Sequence, residues 1–230
     1  MGKNHLKRLA APKIWSINRK ETEFITKQSP GPHSLELGIP INTILKDILK
    51  YASTTREVKK ILGANNIKID GQPRKHFRFP VGLFDVIEFP SINEFYRVII
   101  NSQGKLDLAK INKNETSIKP CKIIGKTMVN GKLQLNLYDG KNILVDKNNY
   151  KVGDTLLLLL PEQKISKHLK LDKESAIFLI GGRHIGEVGN VEDIVGDKII
   201  YKNKNGSLIE TSKNYAFVIG ENKPLITLEK

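Results

Sequence analysis

An α+β fold is what this sequence predicts: a helix pair leaning on a small sheet, then a long β-rich remainder. Two observations carry it, and a third bears on the partner. Ile41, Ile44, Leu45, Ile48 and Leu49 recur at the i, i+3, i+4, i+7, i+8 spacing of one helix face. Further on, short apolar runs are separated by Asn130-Gly131 and Asp139-Gly140, dipeptides that accept the positive φ a two-residue hairpin turn needs. The third is charge. Lys and Arg number 38 against 24 Asp and Glu, so the 230-residue chain carries a formal +14. A surplus of this size repels itself and draws polyanions.

The same composition excludes several classes. Cys121 is the one cysteine, so no internal disulfide forms, and no Cys/His cluster has zinc spacing. The longest apolar run, Leu156 to Leu160, falls far short of the ~20 residues that span a bilayer. No apolar stretch follows the basic N-terminus as a secretion signal would require. The expectation is a cytoplasmic chain, with no membrane association, whose partner is nucleic acid.

The first twenty residues hold Lys3, Lys7, Arg8, Lys13, Arg19 and Lys20 and no acid. Pro12 and then Ser29-Pro30-Gly31-Pro32-His33 interrupt any regular element. The segment reads as an extended basic arm that orders on binding, with Trp15 packing on RNA or on the chain's own sheet. After it comes the first helix, with Asn42 or Thr43 as its cap and its end at Ala52-Ser53. Ser53, Thr54 and Thr55 then offer caps for a second helix, in which Val58, Ile61 and Leu62 face inward and Arg56, Lys59 and Lys60 lie on other faces. Ile67-Lys68-Ile69 alternates like a strand, Asp70-Gly71 turns it, and Arg74, Lys75 and Arg78 follow. Helix and turn together predict one positive surface whose side chains contact phosphates, which positions RNA without reading its sequence.

From Tyr96 to Leu160 apolar runs alternate with turn dipeptides, which predicts a small β-barrel or curled sheet. In it Leu133, Leu135 and Leu137 point one way, while Gln134 and Asn136 point the other. After Ala176–Ile180 comes Gly181-Gly182-Arg183-His184-Ile185-Gly186-Glu187-Val188-Gly189, where glycines permit tight turns and close backbone approach. A phosphate loop is excluded, since the order is not GxxxxGK[ST] and no long helix follows. Catalysis is not expected either. His5, His33, His76, His168 and His184 are scattered, none beside a Ser or Cys with a third orienting group, and no paired carboxylates form a motif. No cofactor or metal is expected.

Two local resemblances sharpen this. Thr55–Leu62 with Ile67–Arg74 resembles the S-four-type RNA-binding domain. The run at Gly181–Gly189 resembles the KOW motif, with Gly181, Gly182, Gly186 and Gly189 on its usual spacing and Glu187 where a basic residue is frequent. Read in order, HLKRLAAPKIW (His5–Trp15), SPGPHSLE (Ser29–Glu36), REVKKIL (Arg56–Leu62), IDGQPR (Ile69–Arg74), PVGLFDVIEF (Pro80–Phe89), YDGKNI (Tyr138–Ile143), IGGRHIGEVG (Ile180–Gly189) and YAFVIG (Tyr215–Gly220) resemble the archaeal and eukaryotic small-subunit ribosomal family S four e.

That resemblance implies a basic N-terminal arm over 1–36, an S-four-type domain over 37–94, a central β domain over 95–172, and a KOW-containing SH3-like β-barrel over 173–230. It implies a structural ribosomal protein, monomeric within the ribosome, bound to small-subunit rRNA and neighbouring ribosomal proteins. The stop at Lys230 favours an archaeal source. The alternative is a free RNA chaperone or translation factor using the same surfaces transiently. A third reading is an accessory to an RNA-modifying enzyme, or a transcription elongation factor built on the KOW element. The residues expected at RNA are Lys3, His5, Lys7, Arg8, Lys13, Trp15, Arg19, Lys20 and His33 in the arm; Arg56, Lys59, Lys60, Lys68, Arg74, Lys75 and Arg78 around the second helix; and Gly181, Gly182, Arg183, His184 and Gly186 in the glycine run.

Overall fold

The computed structural model of the chain describes residues 4–64, 66–146 and 148–228, so the expectation for Lys3 lies outside the described residues. The fold is β-rich with few helices, and it divides into two compact units, 4–99 with 105–117 and 100–104 with 118–228.

In the first unit the strands are short: β1 (Leu6–Lys7), β2 (Phe24–Ile25), β3 (Gly38–Pro40), β4 (Lys68–Ile69), β5 (Gln72–Pro73), β6 (Pro80–Gly82), β7 (Val86–Phe89), β8 (Glu94–Ile100) and β9 (Leu106–Lys110). Its main sheet runs β5-β4-β7-β8-β9, while β1 pairs with β2 and β3 with β6. Pro40, with φ fixed by its ring and no N–H to lose, sits at the N-cap of α1 (Ile41–Thr43). The chain then widens into a π-turn over Ile44–Ile48. Asn42 and Thr43, expected as caps, are therefore inside the helix and buried. The Asn42 amide holds Thr26 (2.6 Å) and Thr55 (3.4 Å) instead.

The second helix, α2 (Thr55–Gly63), is built as its sequence predicts. Thr54 caps it, its hydroxyl accepting from Glu57 N while the Glu57 carboxylate accepts back from the cap backbone, a closed capping box. Val58 and Leu62, both fully buried, lock it down, each contributing about 1.5–3 kcal/mol on burial.

The N-terminal segment is not an extended arm, and this corrects the sequence reading. Trp15 is 1% exposed, and its indole Nε1 donates to the Gly38 carbonyl at 2.7 Å. The backbone beside it is stitched in, Leu106 N donating to Ile14 O at 2.7 Å. Of the two surfaces open to Trp15, the chain's own sheet takes it. An indole buries more apolar area than the other side chains of the segment, so docking it offsets the cost of ordering its neighbours.

The second unit comprises β10 (Ile118–Val129), β11 (Lys132–Leu137), β12 (Asn142–Val145), β13 (Thr155–Leu159), β14 (Lys164–Leu169), β15 (Ala176–Leu179), β16 (Val188–Val195), β17 (Lys198–Asn203), β18 (Leu208–Ser212) and β19 (Ala216–Gly220). Two five-stranded antiparallel sheets result, β12-β11-β10-β13-β14 and β18-β17-β16-β15-β19. β10 is long because it pairs twice, with β13 up to Lys122 and with β11 from Ile123, and the register shifts between Ile123 and Gly125. That bulge lets one strand bend between two partners. Asn130 and Gly131 both have positive φ, the turn their sequence demands.

β13 explains the run Leu156–Leu160. Leu156 and Leu158 enter a cluster with Cys121, Ile123, Leu135 and Leu137, while Leu157 enters another with Leu169, Ile177, Val191, Tyr201 and Val218. A strand buried on both faces has no polar alternate positions.

Candidate nucleic-acid interface

Helix α2 presents Arg56, Lys59 and Lys60 to solvent. The acid in their midst, Glu57, is occupied by the cap. The backbone N–H of Ser53, first among its partners, and the Thr54 side chain hold its carboxyl below the usual range. Glu57 stands three residues before Lys60 and could pair with it on this face. The capping box uses that carboxylate instead.

The turn after β4 brings the second half of the patch. Asp70 and Gly71 both take positive φ, and Asp70 Oδ1 accepts from Val86 N at 3.1 Å, fixing the hairpin against β7. Past it, basic and aromatic side chains alternate in His76-Phe77-Arg78-Phe79. The Lys59 ammonium stands 4.8 Å from the centroid of Phe77, and the Arg78 guanidinium 5.4 Å from the same ring. Arg74 stands 4.6 Å from the centroid of Phe79 and is steadied by Gln72 Oε1 at 2.8 Å. Ring faces attract cations and orient them without neutralising them, so the charge stays available to a polyanion. Phe77 is the residue that sequence reasoning missed. The signal was the basic–aromatic alternation around it. Lys75 is exposed alongside, whereas Lys68 lies opposite Glu88 across the β4–β7 ladder and faces an acid.

The remaining expected residues fall into two groups. His5, Lys7, Lys13 and Lys20 are exposed, although Lys7 lies 3.6 Å from Glu23. Arg8, Trp15 and His33, expected at RNA, are buried, and Arg19 is half-buried; all four have hydrogen-bond partners within the protein. Arg8 is buried and donates to Asn18 O (2.7 Å), Glu21 (3.3 Å) and Asp47 (2.7 Å). Arg19 spans the carbonyls of Leu9, Ala11 and Pro12. His33 Nε2 lies 2.9 Å from Asp85 with both side chains almost fully buried. Long basic side chains can close loops by gathering carbonyls, and that use competes with phosphate binding.

In the second unit the glycine run forms the turn between β15 and β16. Gly182 and Gly186 take positive φ, but Gly181 does not. Gly181 is required by space, since a Cβ there would lie 2.6 Å from the Tyr215 ring. Arg183 is exposed. His184 Nδ1 lies 3.0 Å from Glu187, which also accepts from Tyr201 (3.3 Å) and Asn203 (2.8 Å). Glu187 thus fastens the loop to β17. Two further lysines, Lys119 and Lys122, are buried. Lys119 pairs with Asp139 at 3.1 Å, and burial pushes the Lys122 amine down to about 8 as it donates to the carbonyls of Asn214 and Ala216.

Among the described residues no three His, Cys, Asp or Glu side chains are placed to hold a metal ion, and no helix is long and apolar enough to cross a membrane.

The chain is similar to known proteins over most of its length. Residues 92–165 match the model of ribosomal family S4e, and residues 1–36 match the RS4NT (NUC023) domain. The small ribosomal subunit protein eS4 of Methanosphaera stadtmanae is 44% identical, the match covering 98% of this chain and 96% of that protein. The protein of the same name from Methanococcus vannielii is 40% identical, with 98% of each chain covered. Among solved structures, the crystal structure of the 30S ribosomal protein S4e from Thermoplasma acidophilum superposes with a TM-score of 0.70 at 31% identity, covering 80% of this chain and 96% of that one. With 98% of this chain covered at 40–44% identity, and with the N-terminal segment and the region 92–165 matched by the family's models, the chain belongs to ribosomal family S4e.

Proposed function

We propose that this chain is a structural constituent of the small ribosomal subunit, where it binds and stabilises folded small-subunit rRNA through phosphate contacts and so supports translation. In this reading residues 37–94 act as an S-four-type RNA-binding module, 95–172 as a central β domain and 173–230 as a KOW-containing barrel. The chain works as a monomer beside neighbouring ribosomal proteins in cytoplasmic ribosomes and performs no catalysis. The observation that carries the reading is the convergence of Lys59 and Arg78 on Phe77, with Arg74 on Phe79 and Arg56, Lys60 and Lys75 in solvent. Two segments distant in sequence thereby make one cationic surface. The assignment to the small subunit is supported by the names of the relatives, which are small-subunit proteins.

The test is the salt dependence of binding to small-subunit rRNA. Replacing Arg56, Lys59, Lys60, Arg74 and Lys75 together by Ala should weaken binding and reduce the slope of log K against log salt by up to ~0.9 per lost duplex contact. An unchanged slope would place the binding face elsewhere.

A further inference from the structure

Two adjoining cavities in the first unit extend from the surface described above, meeting it at Phe77 and Arg78. One, of about 900 Å³, is lined by His5, Phe24, Asn42, Lys46 and Lys50 among others. The second, of about 650 Å³, runs along Gln28 and Ser29. Asn4, Lys27 and Arg78 line both, so together they form one polar trench. Each is within the ~300–1,000 Å³ typical of a small-ligand site.

The trench has three properties that point to a ligand. Its walls hold buried polar atoms without a hydrogen-bond partner: Asn42 Oδ1, Gln28 Oε1 and Arg78 Nε. Asn42 is 3% exposed and its amide nitrogen is already committed to Thr26 and Thr55. A buried acceptor left in this state is costly, and a donor brought by a ligand relieves it. Next, Phe24 is 51% exposed, with the His5 ring tilted against it at 5.8 Å. Finally, the charge that meets a ligand here is positive. The two lining carboxylates, Glu21 and Asp47, are engaged by Arg8 at 3.3 and 2.7 Å, and Lys46 and Lys50 stand beside them.

We propose that this trench is a subsite for single-stranded RNA, in which an unpaired base lies on Phe24 and the flanking phosphates lie on Lys46 and Lys50. The proposal rests on the rRNA-binding reading above and deepens it. A base inside a duplex offers only its edges, whereas an unpaired base offers a face to stack on an aromatic ring and polar edges to donate to a group such as Asn42. The α2 patch grips phosphates. The trench takes a nucleotide out of the stack.

The experiment uses the full chain as wild type, Phe24→Ala, Lys46→Ala with Lys50→Ala, and Lys59→Ala with Lys60→Ala, each checked for native circular dichroism. Each is titrated against a fluorescein-labelled oligouridylate and a labelled RNA hairpin duplex at fixed salt. Phe24→Ala should weaken single-strand binding by ~10-fold, the value of one lost base stack, and leave duplex binding unchanged. Lys59→Ala with Lys60→Ala should show the reverse. If Phe24→Ala fails to fold, the Lys46/Lys50 pair decides, with the same preferential loss on the single strand. The proposal is overturned if these variants bind the oligouridylate like wild type or lose both ligands equally. It is also overturned if wild type holds the duplex and ignores the single strand, an outcome that leaves the rRNA-binding reading standing. Wild type that binds neither RNA would overturn both.

Discussion

Trp15→Ala is the sharpest perturbation of the N-terminal segment. The side chain is 1% exposed and donates to Gly38 O at 2.7 Å. Truncating a buried tryptophan removes apolar burial and leaves a cavity, together costing ~3–5 kcal/mol. The orphaned Gly38 carbonyl adds ~1 kcal/mol. Against a total stability of ~5–15 kcal/mol for a domain, this is a large share. Trp15→Phe keeps most of the ring and loses the donor, so it should cost only ~1–2 kcal/mol. The assay is urea unfolding of the free protein by far-ultraviolet circular dichroism, since the variants lack the sole tryptophan. With a urea dependence of ~1–3 kcal/mol per molar, the alanine midpoint should fall by at least ~1 M and the phenylalanine midpoint by less. A Trp15→Ala midpoint indistinguishable from wild type would refute the reasoning and return residues 5–25 to the status of a detached arm.

Arg8→Ala and Asp47→Ala should be coupled by ~0.5–3 kcal/mol in a double-mutant cycle, because the pair at 2.7 Å is shielded from water; strict additivity would show that the bond does not fasten the segment. Gly186→Ala should destabilise more than Gly182→Ala in the same unfolding assay, although both have positive φ, because a Cβ at 186 would lie 2.6 Å from the Asn101 carbonyl oxygen whereas at 182 it meets ring carbons at 3.3 Å. Equal losses would leave backbone strain alone as the cause. Glu94 accepts from Tyr51, Lys110 and Tyr96, which hold its carboxyl down at about 2. Its folded value lies below the ordinary ~4.3, so its contribution is complete above that pH and fades as pH falls toward the folded value. The gap in thermal midpoint between wild type and Glu94→Gln should therefore be open near neutrality and close with acidification; a gap constant with pH would contradict the hydrogen-bonded carboxylate.

What could be read from the chain beforehand was what its neighbours in sequence decide. Thr54 and Glu57 stand three apart and make a capping box; Asp70-Gly71 and Asn130-Gly131 turn because those residues accept positive φ. The fate of the cations could not be read this way. Arg8 looks like Lys7 until Asp47, 39 residues on, arrives beside it. Trp15 needs the Gly38 carbonyl, and His33 needs Asp85. Gly181 and Gly182 are adjacent and identical, yet one is kept by φ and the other by the Tyr215 ring, a neighbour that only the fold supplies. In the candidate interface, Arg56, Lys59, Lys60 and Lys75 were legible because a helix face and a turn expose them. Phe77, which gathers two of the cations, was legible only as an alternation.

The internal pairs also say where the surplus charge must lie. Arg8 with Asp47, Arg97 with Glu115 and Lys119 with Asp139 each remove one base and one acid from the surface. Pairing in equal numbers leaves the formal difference of +14 untouched. Arg19 and Lys122 are satisfied by carbonyls and carry their charge into the fold, but the exposed bases on α2, after the Asp70-Gly71 turn and around the trench remain. A protein could neutralise such sites with nearby acids at little cost, since exposed ion pairs are worth ~0–1 kcal/mol. Here the acid best placed on α2, Glu57, is turned to the cap, and Glu21 and Asp47 are turned to Arg8. At these places folding turns the nearby carboxylates to structural partners and leaves the cations of α2 in solvent, which is the arrangement a phosphate-binding surface requires.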